Sequence, residues 1–211
     1  MLLGLLTCKP QFGLLFPLFL LVHRHWNSFG AAAGSTLALA AGTTLLFGLD
    51  PWQAFLNSIE GTNTILRAGG SDSTKLQSVY GLAFEISGGF AVSMAVHLGF
   101  AALLCLALVL SWRRRPAEAP LAAALAAASF LATPYVYGYD ALLLPVAAAF
   151  LVRDGLDRGF GRATIPLIVV ALLLPATLPW TGAFASVSGG LLLFGLAVSR
   201  PKAGDTPTEP A

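Results

Sequence analysis

Thr133-Pro134-Tyr135-Val136-Tyr137-Gly138-Tyr139-Asp140 stands between two apolar runs, Leu121–Leu131 and Ala141–Val152. Three of the four tyrosines lie in this stretch, beside an acid. Proline followed by a polar, aromatic segment interrupts what would otherwise be one long apolar helix. Hydrocarbon offers no partner to the backbone N–H and C=O groups that such a break sets free. It survives at membrane depth only where it is packed in protein or lines a wet cavity. An ionisable group held there is a candidate functional residue.

The flanking composition puts this break in a membrane. Hydrophobic residues make up 56% of the 211 residues and charged residues 10%, with a mean hydropathy of +0.78. A soluble domain carries about 25% charged residues. The chain therefore reads as an all-α, polytopic transmembrane bundle. The net charge of +2 argues against a nucleic-acid partner. Cys8 and Cys105 both lie in apolar runs and read as free thiols rather than a disulfide.

A span needs about 20 apolar residues. Gly30–Gly48 and Gly89–Leu110 meet that length without a charge. Thr164–Leu178 and Gly182–Val198 form a hairpin turning at Pro179-Trp180-Thr181. Met1–Val22 is a span interrupted by Lys9-Pro10-Gln11, and Glu118–Val152 holds two short spans around the tyrosine break. The sum is about seven crossings in a transmembrane domain over residues 1–199, with an outer loop at 50–88, an outer re-entrant break at 133–140 and a disordered cytoplasmic tail at 200–211.

The basic residues set the orientation. Arg24, then Arg113, Arg114 and Arg115, then Arg153, Arg158 and Arg162, then Arg200 and Lys202 fall in alternate loops, which are assigned to the cytoplasm. The opposite loops hold only Arg67 and Lys75. The alternation requires the tyrosine break to be a true turn on the outer side. Trp26 and Trp112 then fall at inner boundaries, Trp52 and Trp180 at outer ones, where indoles favour the headgroup level. In the outer loop, Asp50–Leu56 is expected to form an amphipathic helix on the membrane and Gly69–Ser73 a mobile turn. Gly30-Ala-Ala-Ala-Gly34 has the small-xxx-small pattern of close helix packing.

Lys9 lies 13 residues before the inner boundary at Val22, and Asp140 lies 12 before Val152. At 1.5 Å per residue both sit about 18–20 Å above the cytoplasmic face. Two helix breaks and two opposite charges at one level suggest a shared cavity open to the outside. Lysine binds phosphate as a point charge. Tyr135, Tyr137 and Tyr139 offer flat faces and hydroxyls to a sugar ring or a prenyl chain. Asp140 can accept hydrogen bonds from sugar hydroxyls or act as a base. A structural Lys9–Asp140 pair is the competing reading. His97 reads as a helix-to-helix hydrogen bond, Glu85 as an interfacial carboxylate that could also face the cavity, and His23, His25, Asp154 and Asp157 as solvated loop residues. No metal site and no nucleotide-binding glycine loop is present in the sequence, so neither metal nor cofactor is expected.

Three segments carry a resemblance to a known family. Gly4-Leu5-Leu6-Thr7-Cys8-Lys9-Pro10-Gln11 with the following run into His23-Arg24-His25-Trp26 resembles its Lys-Pro-Gln region. Phe47-Gly48-Leu49-Asp50-Pro51-Trp52-Gln53-Ala54-Phe55 resembles its Phe-Gly…Trp…Phe segment, and Thr133–Asp140 its Ser/Thr-Pro-Tyr-x-x-x-Tyr-Asp segment. The family is glycosyltransferase family 87, of GT-C type, which includes polyprenol-phosphate-mannose-dependent α-1,2-mannosyltransferases. The resemblance implies transfer of mannose or another hexose from a polyprenyl-phosphate donor to a glycan or glycolipid acceptor, on the outer face of a bacterial plasma membrane. It implies substrate binding by Lys9, Gln11, Tyr135, Tyr137, Tyr139 and Asp140, with Lys9 neutralising the carrier phosphate and Asp140 a weak candidate for the catalytic acid. It also implies that the chain corresponds to the C-terminal part of the family, that the early spans and the first outer loop with the family's catalytic acid are expected outside it (a truncated product, a misplaced start, or one half of a split enzyme whose partner supplies the N-terminal spans), and that Gly138 stands where many members carry an acid. A non-catalytic subunit that binds lipid-linked phosphate and a small transporter are the alternatives.

Overall fold

The structure is a computed structural model that describes residues 9–67, 75–114 and 117–201. Cys8, Arg115, Lys202, the expected mobile turn Gly69–Ser73 and the tail beyond 201 lie outside the described residues. All described elements are helical, in accord with the all-α expectation. The chain forms two compact units, Met1–Asp72 and Ser73–Ala211.

In the first unit, α1 (Pro10–Gly13) and α2 (Leu15–Val22) lead into α3 (Trp26–Phe47) and α4 (Asp50–Arg67). The break beside Lys9 follows from Pro10: proline fixes φ and has no N–H, so it suits only a first helical position. It occupies that position in α1. The end of α2 is a Schellman turn. Arg24 N–H donates to Leu21 O at 3.1 Å and His25 N–H to Leu20 O at 2.9 Å, with Arg24 in the left-handed region at φ 57°. Gly48, at φ 75°, redirects the chain between α3 and α4, and Trp52 Nε1 donates to Thr44 Oγ1 at 2.9 Å across that corner. The amphipathic helix expected at residues 50–56 runs on to Arg67. Its apolar stripe, Trp52, Phe55, Leu56 and Ile59, is exposed throughout. Such a stripe suits a helix lying in a lipid interface.

In the second unit, α5 (Val79–Ser87) and α6 (Phe90–Arg113) precede α7 (Glu118–Leu131), a short 3₁₀ turn (Gly138–Leu142) and α8 (Leu143–Arg158). Then come α9 (Thr164–Leu173), a 3₁₀ segment (Leu174–Thr177), α10 (Leu178–Thr181) and α11 (Ala183–Val198). Pro120, Pro145 and Pro166 are each the third residue of a helix, where the missing N–H would have no intrahelical partner anyway. Helix α11 is the centre of this unit: it packs on α5, α7, α8 and α9. Gly189 and Gly190 make that possible. A Cβ at Gly189 would lie 2.5 Å from Ala171 O of α9, and one at Gly190 would lie 2.8 Å from Leu131 Cδ2 of α7. Helix α7 supplies a matching surface of small residues, with Ala123, Ala124, Ala127 and Ala128 all buried.

Two helices, α3 with 22 residues and α6 with 24, are long and apolar enough to cross a bilayer. They coincide with the two clear spans read from sequence. The other apolar segments form helices of 10–17 residues, so length alone does not carry the expectation of about seven crossings. The hairpin expected at Pro179–Thr181 turns instead at Gly182, with φ 56°, while 178–181 is helical. Its cause lies upstream: Pro175 cannot donate to the helix ladder, and α9 gives way to 3₁₀ geometry there. Two further expectations change. Within the first unit, a Cβ at Gly30 or Gly34 would meet no atom within 4 Å, so the small-xxx-small face of α3 has no packed neighbour there. Trp112 is 1% exposed inside the second unit rather than at a headgroup boundary, whereas Trp26, Trp52 and Trp180 are exposed.

Candidate functional site

At the tyrosine break the chain leaves α-helical geometry after Ala132 and re-enters helix through the 3₁₀ turn Gly138–Leu142. Helix α7 ends at Leu131 because Pro134 disfavours helical geometry at the residue before it. Thr133 Oγ1 donates to Ser129 O at 3.0 Å. Helices α7 and α8 pack against each other across the break, so it is a turn and not a kink in one long helix.

Asp140 holds the turn together. Its Oδ2 accepts the Tyr137 N–H at 3.1 Å, while its own N–H donates to Tyr137 O at 2.9 Å. Asp140 as a whole is only 4% exposed. Next to this reciprocal pair Tyr137, half-buried, stacks on Tyr139, which is 63% exposed, with centroids 5.9 Å apart and planes inclined by 13°. Val136 points the other way and is buried completely, while Tyr135 is half-buried.

Three residues that sequence reasoning missed secure the break from outside it. Gln77 N–H donates to Val136 O at 2.7 Å. Ser78 Oγ donates to Pro134 O at 2.6 Å while accepting the Gly81 N–H, and so caps α5 and straps the break at once. Ser186 Oγ of α11 donates to Gln77 Oε1. The other end of the Gln77 amide crowds Gly138. A Cβ on Gly138 would lie 2.9 Å from Gln77 Nε2, so any side chain there must displace a buried amide. Only the N-cap signal of Ser78, a serine opening an apolar run, was available in the sequence. The partners of Gln77 and Ser186 are set by the meeting of α5, α11 and the break.

His97 makes the expected helix-to-helix hydrogen bond. Its Nε2 lies 3.1 Å from Ala132 O, at the last carbonyl before the break. Glu85 of α5 is exposed, and both its carboxylate oxygens lie 3.0 Å from where a Cβ on Gly182 would stand.

Lys9 and Gln11 belong to the first unit. Lys9 is the exposed N-cap of α1, its Nζ is 5.6 Å from the Phe12 ring centroid, and its carbonyl accepts the Phe12 N–H at 3.0 Å. Gln11 is half-buried. Beside them is an apolar groove of about 520 Å³, lined by Pro10, Phe16, Leu20, Phe29, Ala33 and Leu37 among others.

His23 and His25 form a stacked pair, 6.0 Å between centroids, with Phe19 4.7 Å from His23. Partial burial, and then the His25 charge, push the His23 pKa below its usual 6.5. An unfolded turn therefore takes up a proton that the folded one resists, and the turn loses stability as pH falls below about 6.5. The expected result is that amide-exchange protection of Arg24 and His25, corrected for intrinsic rates, drops on acidification. His23→Phe removes that dependence. A flat wild-type profile would refute it.

Asp154, expected in a solvated loop, is the main departure. It is 2% exposed near the end of α8. Arg158 Nε donates to its Oδ1 at 2.7 Å, and Arg200 Nε lies 2.7 Å from its Oδ2 in an ion-pair contact. Asp157 is exposed and paired with Arg153 at 2.8 Å, as a surface reading implies.

The model of glycosyltransferase family 87 matches residues 1–134, which is 134 of 211 residues. The match takes in Lys9–Gln11, the Phe47–Phe55 segment, Glu85, His97 and the start of the break, and stops before Tyr135. No curated protein and no solved structure matches the chain. With well over half of its residues aligned to that family, and the Lys-Pro-Gln and Thr-Pro elements inside the aligned region, the chain belongs to glycosyltransferase family 87.

Proposed function

We propose that this chain transfers a hexose, mannose in the first instance, from a polyprenyl-phosphate carrier to a glycan or glycolipid acceptor at the outer face of a bacterial plasma membrane, within a bundle of about seven crossings. The family supplies the reaction class, glycosyl transfer between a sugar donor and an acceptor, and its members are membrane proteins. The observation that supports the finer reading is the break itself: a turn pinned by Asp140 that carries a stacked tyrosine pair, with Tyr139 exposed. A flat, amphipathic aromatic surface with hydroxyl groups suits a sugar ring.

On the donor side, Lys9 is an exposed cation next to an apolar groove. That combination fits a phosphate joined to a hydrocarbon chain, with the ammonium binding the anion and the groove the prenyl tail. Gln11 and Tyr135 are assigned supporting polar contacts. Asp140, buried and accepting a backbone N–H, is assigned to orientation of the tyrosines rather than to proton transfer.

The test is a transfer assay with the full-length protein in proteoliposomes containing a radiolabelled polyprenyl-phosphate hexose and a glycolipid acceptor. Wild type is expected to move label to the acceptor. Lys9→Ala is expected to raise the donor KM by ~10–100-fold, the worth of a hydrogen bond to a charged group. Tyr139→Ala is expected to lower kcat/KM by roughly tenfold while Tyr139→Phe does not, since the ring face and not the hydroxyl makes the contact. Retention of the lipid without turnover would favour a binding subunit, and sugar flux without the lipid-linked donor would favour a transporter.

A further inference from the structure

Gln77 stands just before α5 and is 2% exposed. Its backbone N–H donates to Val136 O at 2.7 Å. Its Oε1 accepts the Ser186 hydroxyl, which turns the NH2 end of the amide toward Gly138. That end has two hydrogens to give. Among the described residues Nε2 has no hydrogen-bond partner. Buried side-chain donors are almost always paired, because an unpaired one keeps the full cost of its desolvation.

The place that Nε2 faces is open. Gly138 is exposed. The point where its Cβ would stand is 2.9 Å from Nε2, and apart from the turn's own backbone and the adjoining residues no other described atom lies within 4 Å of that point. A side chain at 138 would cover the amide, and glycine leaves it uncovered. The adjoining residues are Tyr137 and Tyr139, whose rings stack 5.9 Å apart, with Tyr139 63% exposed. The donor is also held still. Val136 fixes the Gln77 backbone, Ser186 of α11 fixes its side chain, and the next residue, Ser78, is bonded to Pro134 O. One patch therefore joins a flat aromatic face to a fixed, neutral N–H donor. A sugar ring has the matching pair of properties, an apolar C–H face for the ring and hydroxyls around its edge. A phosphate is bound more strongly by a cation than by one neutral amide.

We infer that Gln77 is a sugar-binding and specificity-determining residue of the tyrosine turn, an assignment that rests on the glycosyltransferase reading given above. Its Nε2 donates to one hydroxyl of the hexose seated on Tyr139, reached across the bare Cα of Gly138. A hexose that lacks that hydroxyl leaves the buried amide unpaired. Sites built to hydrogen-bond a substrate hydroxyl reject the analogue without it far more strongly than an apolar pocket rejects a missing methylene.

The experiment uses the full-length protein in the proteoliposome assay, with the parent polyprenyl-phosphate hexose and with donors lacking the hydroxyl at C2, C3, C4 or C6. Wild type is compared with Gln77→Met, which keeps the length of the side chain and removes the donor. Gly138→Ala keeps Gln77 and sets a methyl group against the amide. Wild type is expected to lose ~10–100-fold in kcat/KM with one of the deoxy donors, the worth of leaving a buried donor unpaired. Gln77→Met is expected to lose the same factor with the parent hexose and nothing further with that one deoxy donor, while the losses with the other deoxy donors persist. Gly138→Ala is expected to give the same pattern, and it decides the matter alone if Gln77→Met does not fold. A loss by one common factor on every donor would mean that Gln77 only supports the turn. That result, or unchanged transfer from every donor, would overturn the assignment and leave the transferase reading intact. Absence of transfer by wild type would overturn both.

Discussion

Asp154→Ala is expected to be the most destabilising single substitution in the second unit. Asp154 is 2% exposed and its two oxygens face Arg158 and Arg200, whose side chains are 20% and 15% exposed. The same arginines reach the backbone on either side: Arg158 Nη1 donates to Pro201 O at 3.3 Å and Arg200 Nη2 to Gly159 O at 3.4 Å. One carboxylate therefore ties the end of α8 to the chain leaving α11. Removing it leaves two largely buried guanidinium groups without their counter-charge, and breaking a buried pair in this way costs about 3–5 kcal/mol. Thermal unfolding of the detergent-solubilised protein is expected to show a large fall in midpoint for Asp154→Ala. Asp157→Ala, three residues on and solvent-exposed, is expected to leave the midpoint unchanged, as exposed ion pairs contribute little. Equal midpoints for the two variants would refute the clamp.

Asp140→Ala is expected to abolish transfer, by at least ~100-fold in kcat/KM, because removing the acceptor of the Tyr137 N–H lets the tyrosine turn relax and misplaces the sugar contact. Asp140→Asn separates orientation from charge. Its amide oxygen can still accept the Tyr137 N–H, so it is expected to keep most of the activity if the residue positions the turn. If Asn is as inactive as Ala, the carboxylate charge itself is needed and the positioning role of Asp140 is refuted. Gly138→Asp is expected to reduce activity, because its Cβ meets Gln77 Nε2 at 2.9 Å.

Much of this was legible in the chain. Uninterrupted apolar runs locate α3 and α6, since a segment with no charges over about 20 residues has few soluble alternatives. Thr133-Pro134 marks the end of α7, because proline excludes helical geometry locally, whatever packs around it. The Lys-Pro-Gln segment, with Pro10 opening α1, and the Thr-Pro start of the break both lie inside the region aligned to the family. Less legible were the shorter helices. Pro175 and Gly182 divide the last hairpin in a way that the apolar run around them conceals.

Local covalent geometry and side-chain polarity are properties of neighbouring residues, so helix breaks, apolar runs and the presence of a charged or aromatic group could be read directly. Burial is not such a property. The sequence around Asp154 is a run of mixed charges, and only the approach of Arg200, 46 residues later, makes it an interior carboxylate. Gln77 and Ser186 stand 109 residues apart and become one hydrogen-bonded support for the break only when α11 packs at the centre of its unit. Gly138 is crowded for the same reason: the atom a Cβ there would press on belongs to Gln77, brought in by a contact that no local pattern encodes.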